Sequence, residues 1–396
     1  MVFEIKKDRY QSRKKVIFII SGEPSGDILG GELIKSLKAS GRKLSFIGIG
    51  GRYMLDQGLR TIFPMGDLSV VGLGEIFPHI PKLLKRFYQT VEKIKNILPD
   101  IIVTIDSPDF SFRLSKNLKK HDSTKNIPII HYVAPTVWAW REERSKKIAK
   151  VVNHLMTLFP FEAKYFRRHG LKTTFVGHPI FDKRLDPKNA VEAFKNKKKI
   201  SGNPLLCLLP GSRRSEITKL MPIYLETIKL LAEKYPGLAL VIPILSKTRS
   251  VLQRSLGKIT VPYHLVTDSL EKDLAIRSSD LALATSGTVS LELSLLKKPH
   301  VIAYKLNPIT FKLIKAFAKV DFVTIVNIVA KREVVPEFLQ ERCQANELFS
   351  ALDSLIRNKR KRTEQISSIV SVLKKIKKNK NPASFNAAQV VLEYCK

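Results

Sequence analysis

An aspartate closes the apolar run Ile101–Ile105, in the order Ile105-Asp106-Ser107-Pro108-Asp109-Phe110. At a strand tip, with Pro108 fixing the turn, Asp106 is suited to take a proton from a hydroxyl as a general base. Asp109 is its rival, although turn aspartates more often cap helices. A different chemistry sits in the C-terminal half. There Leu209-Pro210-Gly211-Ser212-Arg213-Arg214-Ser215-Glu216 sets a planar cation just past a second apolar run. A guanidinium there suits a phosphate, or else only lines the turn. Further on, Ala284-Thr285-Ser286-Gly287-Thr288-Val289-Ser290-Leu291-Glu292 reads as a strand end followed by a helix start. Free N–H groups at Ser286, Gly287 and Thr288, with the positive end of the helix dipole, can hold a diphosphate. Glu292 lies one turn past Thr288 on the same face. It can accept hydrogen bonds from both hydroxyls of a ribose, or it is a solvated glutamate behind an ordinary helix cap. Together, the loop of Gly211, Ser212 and Arg213 and the loop of Ser286 to Glu292 read as a nucleotide-sugar site.

The N-terminal half offers groups for a second substrate. Ser21-Gly22-Glu23-Pro24-Ser25-Gly26-Asp27-Ile28-Leu29-Gly30-Gly31 follows the apolar run Val16–Ile20 and reads as a loop before a helix over Gly31–Ala39. It has no Gly-Lys-Ser/Thr of a phosphate loop, and its glycines do not fit Gly-x-Gly-x-x-Gly. Glu23, Ser25 and Asp27 are candidate hydrogen-bonding groups for substrate, and Gly22, Gly26 and Gly30 would keep the backbone close to it. His131-Tyr132-Val133-Ala134-Pro135-Thr136-Val137-Trp138-Ala139-Trp140-Arg141 holds both tryptophans. Trp138 and Trp140 either stack on a sugar or cover an acyl chain beside Arg141, or pack in the core. His178, in Val176-Gly177-His178-Pro179, contacts substrate or holds its turn. Between Val70 and Tyr88, apolar residues mix with Lys82, Lys85 and Arg86, as on a lipid-facing surface, although a buried helix with a basic outer face fits part of the segment.

These residues need strand ends to present them. Eleven short β-rich runs alternate with helical patterns: Val16–Ile20, Leu44–Ile49, Ile101–Ile105, Ile129–Val133, His154–Leu158, Thr174–Val176, Leu205–Leu209, Leu238–Ile244, Tyr263–Val266, Leu281–Ala284 and His300–Tyr304. The helical patterns include Ile80–Leu98, Pro222–Lys234 and Val289–Leu296. This βαβα order predicts an α/β protein with parallel sheets covered on both faces. The polar, Lys-rich stretch Asp186–Asn203 reads as a linker. The expected organisation is an N-terminal domain over 1–187, a C-terminal domain over 203–356, and a basic helical region over 357–396. The two domains are doubly wound, of similar size, and face an intervening cleft.

The 396 residues carry 69 Lys and Arg against 35 Asp and Glu, a net charge of +34. That field favours anionic partners, here acidic headgroups or phosphorylated substrates, or else reflects a genome-wide Lys bias. No nucleic-acid module pattern is present, so no nucleic-acid partner is expected. Cys207, Cys343 and Cys395 are scattered without a Cys-x-x-Cys pair, which argues against a disulfide framework or a zinc site. No apolar run approaches the roughly 20 residues of a spanning helix, and the N-terminus lacks the form of a signal peptide. The expected location is the cytoplasm or a membrane surface, and an oligomer is compatible with the sequence.

In combination and in this order, these motifs resemble the lipid-A-disaccharide synthase family of glycosyltransferases. Lys319-Val320-Asp321-Phe322-Val323, Asn327 and Phe338-Leu339-Gln340-Glu341 extend the resemblance over nearly the whole chain. It implies GT-B architecture, two Rossmann-like domains around a cleft. It implies transfer of a diacylglucosamine unit from UDP-2,3-diacylglucosamine to 2,3-diacylglucosamine 1-phosphate, with inversion. Asp106 matches the family's proposed base, which favours it over Asp109. Arg213, Ser286 to Thr288 and Glu292 match the UDP side, and Asn327 matches a residue implicated in activity. No metal and no cofactor are implied. The protein would work at the inner face of the cytoplasmic membrane, bound peripherally to its anionic surface. Arg214 stands where a small residue is more usual, and Ile325-Val326 replace a common Leu-Pro. A UDP-sugar 2-epimerase, or another UDP-sugar glycosyltransferase of GT-B fold, is the alternative.

Overall fold

The computed structural model describes residues 14–68, 80–137, 143–183, 185–257, 259–285, 287–307, 311, 321–377 and 381–395. They form two compact units, residues 1–182 with 377–396, and residues 183–376.

The first unit holds a parallel sheet in the order β3-β2-β1-β4-β5-β6-β7. Its strands are β1 Lys15–Ser21, β2 Leu44–Ile49, β3 Arg60–Thr61, β4 Ile101–Ile105, β5 Ile129–Tyr132, β6 His154–Thr157 and β7 Lys172–Phe175. All five residues of β4 are buried. A strand covered on both faces has no polar side to show, so it reads as a continuous apolar run. Each fully buried Ile contributes about 1.5–3 kcal/mol over an exposed one. The chain order reverses between β1 and β4. Crevices at such switch points are where open α/β sheets bind ligands.

The second unit repeats the plan with β10-β9-β8-β11-β12-β13. Its strands are β8 Leu205–Leu209, β9 Ala239–Pro243, β10 Tyr263–Val266, β11 Leu281–Ala284, β12 His300–Tyr304 and β13 Glu337–Leu339. Its switch point lies between β8 and β11. Two strands escape sequence reading. β3 is a polar, exposed pair, and β13 is three residues long with an acid at its start.

Several elements differ from expectation. The first helix runs Pro24–Lys38, with Pro24 in its first turn, so Ser25 to Gly31 are helical rather than loop. Proline has no N–H to lose at the first helical position, which makes it a start signal. The helix after β8 runs Arg214–Lys234 with Pro222 inside it. Pro222 and Thr218, whose carbonyl loses its N–H partner, are both exposed, so water can take the bond. The Lys-rich stretch after Asp186 is not a bare linker. It contains the helix Lys188–Lys198, whose Val191 and Phe194 are buried. The 357–396 region divides between the units. The helix Lys359–Ile376 buries Ile369 and Val372 in the core of the second. The helix Ala383–Leu392 packs on the helix Pro24–Lys38 of the first. Among the described residues, no helix is long and apolar enough to cross a membrane.

Candidate functional site

In the first unit the loops after β1 and β4 meet at the switch point. A side chain at Gly22 would collide with Ser107, whose Oγ stands 2.7 Å from where a Cβ would lie. Asp106 and Ser107 are both left-handed, at φ +53° and +46°. Non-glycine residues held so cost about 1–3 kcal/mol each and cluster at functional sites. The turn is held by Ser111 Oγ donating to the Asp106 carbonyl at 2.9 Å and by Asp106 N–H donating to Tyr132 O at 2.9 Å. Burial raises the Asp106 carboxyl above the ordinary aspartate value, and the Ser107 N–H opposes this only in part. Asp109 is 79 % exposed and paired with Arg144 at 2.8 Å. Of the two carboxylates, Asp106 has the environment of a base. Glu23 and Ser25 are exposed beside this turn.

Five residues expected at the site, Asp27, Gly26, Gly30, His131 and Asn327, are engaged within the fold. Asp27 is 3 % exposed. Its carboxylate accepts N–H bonds from Gly51, Tyr53 and Met54 at 2.8–3.1 Å. It therefore caps the helix Arg52–Asp56, whose own N-cap residue, Gly51, has no side chain. Gly26 and Gly30 serve packing: a Cβ on Gly26 would strike Ser21 Oγ, and one on Gly30 would strike Met54. His131 is fully buried, with Nδ1 paired to Thr104 Oγ1 at 2.7 Å and its ring against Phe112. Burial pushes its pKa down to about 3, so the ring is neutral. Asn327 is also fully buried. Its Oδ1 accepts from Val334 and Val335, and its Nδ2 donates to Val335 O and Glu337 Oε1, all within 2.9 Å. With both amide atoms hydrogen-bonded, Asn327 ties the helix Ile325–Ala330 to β13.

His178 holds its own turn. Its Nδ1 accepts from the Ile180 N–H at 3.1 Å, and its ring lies near Phe159. Burial holds its pKa down at about 4, leaving a neutral ring with its proton on Nε2. Trp138, Trp140 and Ser286 lie outside the described residues, as does the 70–79 part of the Val70–Tyr88 segment. Lys82 and Arg86 both pair with Asp67, at 2.5 and 2.6 Å.

In the second unit a cavity of about 340 Å³ opens at the carboxyl ends of β8 to β11. Its wall brings together Gly211, Ser212, Arg213, Gly287, Thr288 and Glu292. The helix Thr288–Leu295 starts there, behind Gly287 at φ +127°, a conformation that favours glycine. Gly211, at φ +117°, leaves room for the Glu216 carboxylate, which accepts from the Ser212 and Arg213 N–H groups and meets the Arg213 guanidinium at 3.3 Å. The loop amides are thus occupied from within, while the Arg213 side chain stays 68 % exposed. Sequence reading gave no part to Leu245, Asp268, Lys272 or Thr285, which also line the cavity. Their signal was position: each follows a strand at its carboxyl end. Thr285 is 5 % exposed, and its hydroxyl has no partner among the described residues. Lys272 pairs with Glu292.

A family model described as lipid-A-disaccharide synthetase matches residues 17–391. The lipid-A-disaccharide synthase of Rhodospirillum centenum is 42 % identical, over 95 % of this chain and 94 % of that protein. That of Rickettsia prowazekii is 36 % identical, over 95 % and 98 %. Among solved structures, a UDP-GlcNAc 2-epimerase from Neisseria meningitidis bound to UDP-GlcNAc aligns with TM-score 0.62 at 15 % identity, over 96 % and 99 % of the chains. MurG of Acinetobacter baumannii aligns with TM-score 0.59 at 13 % identity, over 96 % and 100 %. At such identities the likeness is one of fold, the GT-B arrangement of two parallel-sheet α/β units.

Proposed function

The chain belongs to the lipid-A-disaccharide synthase family, and from that premise we propose how its residues divide the work. It is a UDP-sugar hexosyltransferase of lipid A biosynthesis. The donor is UDP-2,3-diacylglucosamine and the acceptor is 2,3-diacylglucosamine 1-phosphate. The acceptor 6-hydroxyl attacks the donor's anomeric carbon, the bond from that carbon to the UDP oxygen breaks, and the hydroxyl proton passes to Asp106. One displacement turns the α donor bond into a β-1,6 link and releases UDP.

The observation that carries this reading is the second unit's cavity, where Arg213, a helix N-terminus and Glu292 converge. Arg213 and the N–H groups of Ser286 to Thr288 take the diphosphate, whose charge grows as the bond to sugar breaks. Glu292 takes the ribose, and Leu245 offers apolar surface to the base. Glu23 and Ser25, beside the Asp106 turn in the first unit, and His178, in the turn after β7, are the groups for the lipid sugars. Peripheral binding to the inner face of the cytoplasmic membrane uses the helix Ile80–Ile97. Its Ile80, Leu84 and Tyr88 are exposed at four-residue spacing, on one stripe.

The test is UDP release from UDP-2,3-diacylglucosamine with and without the acceptor. Release only with acceptor is expected. Acceptor-independent release would favour an epimerase, whose fold the chain shares. Asp106→Asn should abolish turnover while UDP still binds, and near-normal turnover would remove Asp106 from the role of base.

A further inference from the structure

Lys272 and Glu292 form an ion pair on the wall of the nucleotide cavity. We propose that Lys272 is a positioning residue of this site: its ammonium holds one oxygen of Glu292, so that the carboxylate is turned to grip the donor's ribose diol. This role rests on the assignment of Glu292 to the ribose.

Three observations support it. First, the pair is not a product of neighbouring strands. Lys272 opens the helix Lys272–Ser278, which packs on β8 and β9, whereas Glu292 lies on the helix Thr288–Leu295 after β11. The ion pair therefore joins two separate helices at the cavity wall. Second, Lys272 is held in place from both sides. Its neighbours Glu271 and Asp273 are pinned away from the cavity, Glu271 to Lys198 at 2.9 Å and Asp273 to Lys183 at 2.6 Å. Third, both members remain within reach of a ligand, with side chains 34 % and 25 % exposed. A free glutamate loses considerable rotamer entropy when it closes on a diol. One held beforehand on a single oxygen has lost most of it and keeps the other oxygen for the ligand.

The experiment compares UDP with 2′-deoxy-UDP by titration calorimetry on the full chain, as wild type, Glu292→Gln, Lys272→Met and Lys272→Arg. The wild type should prefer UDP by about tenfold, the scale of one hydrogen bond to a charged group. Lys272→Met should lose that preference, as Glu292→Gln does, while Lys272→Arg keeps most of it. Because each variant is its own control, a general weakening of the fold moves both ligands together and leaves the ratio alone. Equal losses for both ligands in Lys272→Met, or a wild-type ratio, overturn the proposal while leaving the ribose assignment standing. A wild-type ratio in Glu292→Gln overturns the ribose assignment itself, and the proposal with it.

Discussion

Asp106 is held where a carboxylate is least comfortable, partly buried and on a left-handed backbone. Burial favours its neutral form, so its pKa lies above the ordinary aspartate value. For the reaction this moves the base toward working pH. The acid limb of kcat/KM should fall at a higher pH than a free aspartate would give, and Asp106→Glu should shift that limb rather than abolish it. The same shift has a consequence for stability. A folded-state pKa above the unfolded one stabilises below the unfolded value, and that stability is lost as pH rises through the folded value. At neutral pH, ionised Asp106 is therefore a cost to the fold. Asp106→Asn, already set to lose turnover, should melt no lower than wild type at pH 7. Its advantage should shrink on acidification, as wild-type Asp106 takes up its proton. Thermal melts from pH 7 down to pH 4 check this, and a clearly lower Tm for the variant at pH 7 would count against it.

The helix Pro24–Lys38 joins the first strand to a short helix that cannot cap itself. Three backbone N–H groups at the start of Arg52–Asp56 end on one carboxylate, Asp27. Removing it strands one buried donor, on Met54, and two part-buried ones, at about 1–3 kcal/mol for a donor buried outright. Asp27→Ala should lower unfolding stability by about 2 kcal/mol in urea titrations and leave KM for both substrates within twofold. A large rise in KM at unchanged stability would return Asp27 to the substrate site. This element also marks where sequence reading stops. The strands were legible because buried parallel strands are written as unbroken apolar runs, as in Ile101–Ile105. The two loops that line the second unit's cavity were legible because glycine, arginine and a helix start follow such runs directly. The start of the helix Pro24–Lys38 was not, because Gly26, Gly30 and Gly31 look like loop until Ser21, Met54 and Tyr53 are seen packed against them. Nor could the letters separate an aspartate that binds substrate from one that caps a helix 24 residues away in sequence. His131 and Asn327 mislead in the same way. Polar residues near strand ends suggest function, but burial and a full set of partners, visible only in three dimensions, assign Asn327 to holding the fold.

For the whole molecule, the question is what a net charge of +34 does near a membrane. Diffuse charge acts over about 8 Å at physiological ionic strength, so at an anionic surface it would attract without orienting. Orientation needs a local feature, and the helix Ile80–Ile97 supplies one. Lys82 and Arg86 are partly neutralised by Asp67, whereas Lys85 has no ion-pair partner among the described residues. Ile80, Leu84 and Tyr88, 39 %, 51 % and 60 % exposed, give an apolar stripe beside these cations. Attraction by charge is screened by salt, while insertion of apolar side chains is not. The two contributions therefore separate on vesicles of phosphatidylglycerol and phosphatidylethanolamine. Lys85→Gln should weaken binding at low salt, and its effect should vanish as salt is raised. Leu84→Ser with Tyr88→Ser should weaken binding by about tenfold at low and high salt alike, the scale of withdrawing one or two apolar side chains from the interface. Turnover of a detergent-dispersed acceptor should be unchanged, because neither residue lines the nucleotide cavity. Binding by the double variant equal to wild type at high salt would show that the stripe does not insert, and that charge alone brings the enzyme to its lipid substrates.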